Sequence, residues 1–420
     1  MVIMRKYALV VISLLTAAAL LSGCSKNNEA SLSQESSGSQ SVYQNDSSKE
    51  DDEISEEESL EESDPEEDAS TIYRFKTKYY VRQLSEDELK VFAKMYNTAL
   101  RFGDKAEFRE NISADTLDKL MWFLNYECPE LIHLKGDYAP IYSDSEQQNV
   151  SGVMLFYCME EDEYKENFKK LITFFGKLKK DTEGKTDYEK EKYVYDLIFR
   201  DCVYDEVAEN AGSAYGALIE CRGRCEGISK SFMWCMRELN FECLTVVGKP
   251  TWDSEAVYSN HSWNILKLDG DFYHVDIATD NLQSDTEKNN PPLYGFLNVD
   301  DDYLYATRTP DSYYTSMGLP ECNSDKYNYH KMNGLFIESG SAVQEKFYEI
   351  MDNHYVDGAV NNISIRLESR EDYNSSLDYW ETWLSDYITT NSYQTCYDTI
   401  YYNDVANAVI IHTEMPVDIS

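Results

Sequence analysis

Between residues 85 and 100 the apolar side chains fall at helical spacing. Leu89, Phe92, Met95, Tyr96 and Leu100 follow Ser85-Glu-Asp-Glu88, a capping-box start, and together they predict a helix. The same reading places helices at 116–125, 161–178 and 188–200, the last with Tyr193, Val194, Leu197 and Ile198 on one stripe. A continuous apolar run at 152–158 reads as a strand. A loop over 204–212 leads to a helix at 225–239 and a strand rich in apolar and β-branched residues at 241–248. The runs 261–268 and 271–277 flank Asp269-Gly270, which predicts a hairpin with a two-residue loop. Beyond about residue 323 a helix at 343–351, a strand at 362–367, a helix at 375–388 and strands at 397–402 and 406–412 predict a small α/β domain.

The start of the chain follows a different pattern. Arg5 and Lys6 precede an apolar run over 7–22 that closes on Leu21-Ser22-Gly23-Cys24. The run is shorter than the ~20 residues a spanning helix needs. Charge, apolar run and small residues in this order predict a secretory signal. Its ending looks like a bacterial lipobox, which implies cleavage before Cys24, lipid on the Cys24 sulfur, and a globular part tethered outside the cytoplasm. From 25 to about 70 the chain is mainly Ser, Glu, Asp, Gln and Asn, and residues 29–68 hold sixteen acidic side chains and one lysine. Such a segment buries too little apolar surface to order itself, so a disordered, charge-extended spacer is expected.

The formal net charge is −39. The spacer accounts for only part of it, so the rest of the chain is also strongly acidic. That excludes a surface built to neutralise nucleic-acid phosphates. Ten cysteines are present. The nine besides Cys24 are irregularly spaced and odd in number, so at least one thiol lacks an intramolecular partner. Cys221-x3-Cys225 has no second close Cys/His pair, and no metal site is predicted.

The candidate chemistry comes from the hairpin. Counting outward from its loop pairs Leu268 with Asp271 and Trp263 with Asp276. His261 lies two residues from Trp263, on the same face, so Asp276 is its diagonal cross-strand neighbour, about 7–8 Å away at the backbone. A carboxylate there fixes the ring tautomer and stabilises the imidazolium. Cys225 opens its helix between Gly223 and Gly227. The helix N-terminus and an imidazolium both favour the thiolate. The glycines are expected to leave room for a substrate and a tight turn. Backbone N–H groups at the helix start can hold an oxyanion. Taken singly, each of these side chains also has a purely structural reading; their order along the chain is the specific signal. Asp300-Asp301-Asp302 reads as an exposed acidic loop rather than a calcium site.

Tyr215-Gly-Ala-Leu-Ile, Gly223-Arg-Cys-Glu-Gly227, His261-Ser-Trp-Asn264 and Asp271-Phe-Tyr-His-Val-Asp276 resemble blocks of the transglutaminase-like superfamily. The resemblance runs over about 188–305. It implies an α+β fold with a papain-like core, Cys225 as nucleophile, His261 as general base and acid, and Asp276 as orienting carboxylate. It further suggests Tyr215 near the oxyanion and Trp263 in the pocket, and it implies no cofactor. Arg224, Ile228-Ser229 and Ile277-Ala278 depart from the residues the family often carries there, which bears on the pocket.

The resulting expectation is a signal at 1–23, an acidic linker at 24–72, a mostly helical N-terminal region at 73–184, the catalytic domain at 185–320 and a small α/β domain at 321–420. The expected activity is acyl transfer from a protein or cell-wall peptide amide through a thioester, giving transamidation or hydrolysis, with no nucleic-acid partner. A non-catalytic scaffold on the same fold is the alternative.

Overall fold

The computed structural model describes residues 65–251, 260–281, 292–354, 363–391 and 397–414. The expected leader, Cys24 and nearly all of the expected acidic spacer lie outside these residues, as does Cys396. A helix over Pro65–Phe75 stands where the spacer was expected to run on to residue 72. It is ordered by packing. Thr71 Oγ1 donates to Asn97 Oδ1 at 2.7 Å, Asn97 Nδ2 donates to Asp68 Oδ1 at 2.7 Å, and Phe75 meets the rings of Phe92 and Tyr96 edge-on. Helix α1 (Glu86–Leu100) starts as the capping box predicts, with Ser85 N donating to Glu88 Oε2 at 2.8 Å. Helix α2 (Ala114–Glu127) follows.

The N-terminal region is less helical than expected. It holds a three-stranded antiparallel sheet of Lys105–Ile112, Val150–Tyr157 and Leu134–Tyr142, in that spatial order. Only the middle strand carries a long apolar run. The Lys105–Ile112 strand buries Ala106, Phe108 and Ile112 between charged neighbours, and most of Leu134–Tyr142 is half-exposed.

The packing does not follow a border at residue 184. Phe123 of α2 stacks on Tyr80, and both share one core with Leu244, Val246 and Trp263 of the catalytic sheet. Helix α3 (Glu161–Asp181) buries Leu171, Phe175 and Leu178 against the cysteine helix α4 (Cys225–Glu238), where Phe175 meets Trp234 at 4.8 Å. Arg237 of α4 donates to Glu127 O of α2 at 2.8 Å.

The central sheet is antiparallel: β1 (Cys243–Pro250), β2 (His261–Leu268), β3 (Asp271–Val275), β4 (Leu297–Val299) and β5 (Arg308–Pro310), in the spatial order β5-β1-β2-β3-β4. The β2–β3 hairpin has the counted register. Leu268 pairs with Asp271 and Asn264 with Val275. Asp269 and Gly270 both have positive φ, 54° and 95°, as a twist-matched two-residue loop requires. Helix α4 is tied to the sheet by polar bonds: Asn264 Nδ2 donates to Ser229 O at 3.0 Å and to Leu244 O at 3.1 Å, and Ser229 Oγ donates to Ser262 O at 2.9 Å.

The C-terminal part is a four-stranded sheet, Phe336–Ile337, Ile363–Leu367, Ala408–Glu414 and Tyr397–Asn403 in spatial order, covered by helices around buried Phe347 and Trp380. The single helix expected at 375–388 is two, Arg370–Ser376 and Trp380–Thr390. Among the described residues no helix is long and apolar enough to cross a membrane.

Candidate active site

Cys225 is the first residue of α4, and Arg224 occupies the N-cap without a side-chain cap bond. The flanking glycines serve a purpose other than the expected one. A Cβ on Gly227 would lie 2.2 Å from Ala211 O and 2.8 Å from Ser213 O; one on Gly223 would lie 2.9 Å from Ala217 Cβ and 3.3 Å from Cys202 Sγ. Neither glycine has positive φ. They let the 211–213 loop and the short helix Ala214–Leu218 press onto the start of α4. They fix the cysteine's frame rather than open a path to it.

His261 opens β2, and its ring lies over Trp263 with centroids 6.2 Å apart and planes at 18°. Its Nε2 is 2.7 Å from Asp276 Oδ2. The ring also hydrogen-bonds the Cys225 side chain, a contact left to Nδ1. The sulfur itself is half-buried, 3.9 Å from Asn260 O. Asp276 directly follows β3 and caps the short helix Ile277–Asp280: Thr279 N donates to Oδ1 at 3.0 Å and Thr279 Oγ1 to Oδ2 at 2.8 Å. The diagonal geometry counted from the sequence therefore brings His261 and Asp276 together.

The structure adds a fourth member. Arg308 of edge strand β5 places Nη1 2.8 Å from Asp276 Oδ2, with both side chains 0% exposed. Its guanidinium lies 4.4 Å from the Phe296 ring centroid, and Nη2 donates to Thr279 Oγ1 at 3.3 Å. Tyr204 was also missed, having been read as the start of a loop. It pairs with Gly223 in a short parallel bridge, and its hydroxyl lies beside the Cys225 backbone N–H.

The charges follow from this geometry. Burial alone would lower His261, but the Asp276 carboxylate and the Cys225 thiol raise it to about 9. Burial would raise Cys225, but the bond to His261 and the contacts with Ser262 hold it below its ordinary value. Burial would raise Asp276 as well; His261, Arg308 and the Thr279 N–H hold it far below the usual carboxylate range. Both shifts favour the charged forms, a thiolate beside an imidazolium.

Two suggested residues do not line the site. Tyr215 is buried, and its hydroxyl accepts from Lys170 Nζ of α3 at 3.1 Å, so it is a packing residue. Trp263 is fully buried; its Nε1 donates to His274 Nδ1 at 3.3 Å, making it the plate beneath His261 rather than a pocket wall.

His274, Asp301 and Cys322 place one potential ligand atom each within 4.8 Å of one another. Accepting from Trp263 puts the His274 proton on Nε2, which points at Asp301 Oδ1 at 2.8 Å, and Asp301 Oδ2 takes the Cys322 N–H at 3.1 Å. With Nε2 protonated, the ring has no lone pair to offer a metal. The acidic run at 300–302 is engaged too, since Asp300 caps Asp301–Tyr305.

A cysteine, a histidine and an aspartate arranged this way define a centre of the cysteine-enzyme type. The Transglutaminase-like superfamily matches residues 177–277, so this segment is a transglutaminase-like domain, in agreement with the α+β fold around it. Arg308 lies beyond the matched segment. Among solved structures, a candidate cysteine protease from Cytophaga hutchinsonii aligns at 14% identity and a TM-score of 0.22, over 35% of this chain and 66% of that one. A TGase aligns at 11% identity and a TM-score of 0.24, over 56% of this chain and 57% of that one. The chain thus spans under two thirds of either. No curated protein matches it.

Proposed function

We propose that the protein is an extracytoplasmic, lipid-anchored thiol acyl-transfer enzyme acting on peptide or side-chain amides. The Cys225 thiolate attacks the amide carbonyl carbon, forming a C–S bond. The oxyanion is taken by the Cys225 N–H and the Tyr204 hydroxyl. The His261 imidazolium gives its proton to the departing nitrogen as the C–N bond breaks, which leaves a thioester and a neutral ring. An amine or water then attacks the thioester. His261 takes its proton, the C–S bond breaks, and the thiolate returns. An amine gives transamidation and water gives hydrolysis. Asp276 keeps the ring oriented throughout, and Arg308 holds Asp276 ionised.

The observation that carries this reading is one imidazole bonded on one side to a fully buried carboxylate and on the other to a cysteine at a helix N-terminus. Iodoacetamide at mildly acidic pH tests it. Cys158 is the comparator, because it is exposed while partial burial of its sulfur pushes its thiol up. Cys225 should alkylate first, and His261→Ala should abolish that lead. Equal labelling of both cysteines would favour a scaffold. Mass spectrometry of products from a peptide-amide library, with and without added amines, separates transamidation from hydrolysis. The anchor rests on the leader sequence alone. Cys24→Ser should move the protein from the membrane to the soluble fraction, and retention at the membrane would refute it.

A further inference from the structure

A cleft of about 320 Å³ opens beside the residues that flank Cys225. Tyr126, Leu134, Asn210 and Gly212 are among its lining residues, and Arg224 and Lys230 among its polar groups. The polar part is built rather than incidental. Lys230, whose side chain is 7% exposed, donates to Glu226 Oε1 at 2.7 Å, to Asn125 Oδ1 at 3.0 Å and to Gly212 O at 3.3 Å. Glu226 Oε2 in turn accepts from Arg224 Nη2 at 2.6 Å and Nε at 3.2 Å. Burial would raise Glu226, but Lys230 and Arg224 hold it at about 2, so it stays ionised. A Cβ on Gly212 would lie 2.6 Å from Arg224 Nη2 and 2.9 Å from Glu226 Oε2, so a larger residue there would displace the ion pair.

The result is a guanidinium gripped along one edge, with Nη1 lacking a hydrogen-bond partner among the described residues and the side chain 47% exposed. It precedes the candidate nucleophile directly. Sitting at the N-cap of α4, its charge adds to the positive end of the helix, and Glu226 in the first turn answers it along one edge only. The charged lining of the cleft, Arg224, Lys230 and Lys135 against Glu226 and Glu209, holds one more cation than anions, in a chain whose formal net charge is −39. A pre-oriented arginine edge suits a carboxylate.

We propose that this cleft is the acyl-donor subsite and that Arg224 selects donors bearing a free carboxylate next to the scissile amide. The proposal rests on the reading of Cys225 as nucleophile. Its test does not need turnover. Peptide pairs identical except for Glu or Gln beside the scissile amide are bound to the Cys225→Ala protein and followed by fluorescence anisotropy. The Glu peptide should bind about tenfold tighter at low salt, the scale of one charge-assisted hydrogen bond. The margin should shrink as salt rises, and adding Arg224→Gln should erase it. A merely structural Arg224 would weaken both peptides alike. Equal affinities, a salt-insensitive margin, or a margin that survives Arg224→Gln would each overturn the proposal. Failure of the enzyme reading looks different: Cys225 would alkylate no faster than Cys158.

Discussion

Replacing Arg308 with methionine keeps the bulk of the side chain and removes its charge from Asp276. His261 Nε2 and Arg308 Nη1 sit 2.7 Å and 2.8 Å from the same carboxylate oxygen, Asp276 Oδ2. The two nitrogens are therefore at most about 5.5 Å apart. At an effective dielectric of ~20, unit charges at that distance repel by ~3 kcal/mol, equivalent to ~2 pKa units. Both charges are delocalised away from these atoms, so the expected shift is about one to two units. Without Arg308 the imidazolium loses a repelling neighbour and keeps its carboxylate. The His261 midpoint should then rise from about 9 to about 10 or above. NMR titration of the His261 ring in the folded protein reads this directly. Removing one partner of a fully buried pair also destabilises by about 3–5 kcal/mol, so circular dichroism must accompany the titration. Arg308→Lys, which keeps the charge, should hold the midpoint near the parent value. A folded Arg308→Met protein whose His261 still titrates at about 9 would refute the reasoning.

The other predictions concern single groups. Asp276→Asn removes the charge that raises His261 and permits the wrong ring tautomer, so turnover should fall on the order of 10³-fold with KM little changed; a fall under tenfold counts against a catalytic carboxylate. Gly227→Ala forces a Cβ to within 2.2 Å of Ala211 O and should lower stability by about 2 kcal/mol or more in urea titrations, whereas Gly176→Ala, in α3 with nothing within 4 Å, should raise it by about 0.5–1 kcal/mol. Glu191 is buried with Oε2 on Asn298 Nδ2 at 2.8 Å, and burial pushes it up to about 8. Its folded value exceeds the unfolded one, so its contribution is complete below ~pH 4 and declines by about 1.4 kcal/mol per unit as pH rises toward 8. Glu191→Gln should flatten the loss of stability between pH 5 and 8, and an unchanged slope would exclude this role.

What could be read before the structure follows from how local the governing physics is. The His261–Asp276 pairing was countable because a two-residue loop fixes strand register and a period of two fixes which face each side chain takes. The capping box at Ser85 was visible for the same reason, since its four residues carry the whole signal. The glycines were misjudged because their need arises from carbonyls at 211 and 213 that press in from another segment, and their own φ values carry no mark of it. The Lys105–Ile112 strand was missed because Glu110 interrupts its alternation of buried positions.

Arg308 was hidden for a deeper reason. It sits in a three-residue edge strand far along the chain from Asp276, with no periodic pattern around it. Yet the chemistry of the triad calls for such a residue. A thiolate, an imidazolium and a carboxylate together carry one net negative charge, and burying that charge is costly. With Arg308 the four groups sum to zero. The charged forms favoured at Cys225 and His261 are then balanced without Asp276 taking up a proton. A Cys-His-Asp pattern in a buried setting therefore raises a second question, namely which cation balances it. Here the balance comes from outside the matched segment 177–277. Arg308 is accordingly the balancing cation of the proposed site, and a truncated protein ending at residue 300 whose hairpin still folds should show the same upward shift of the His261 midpoint as Arg308→Met.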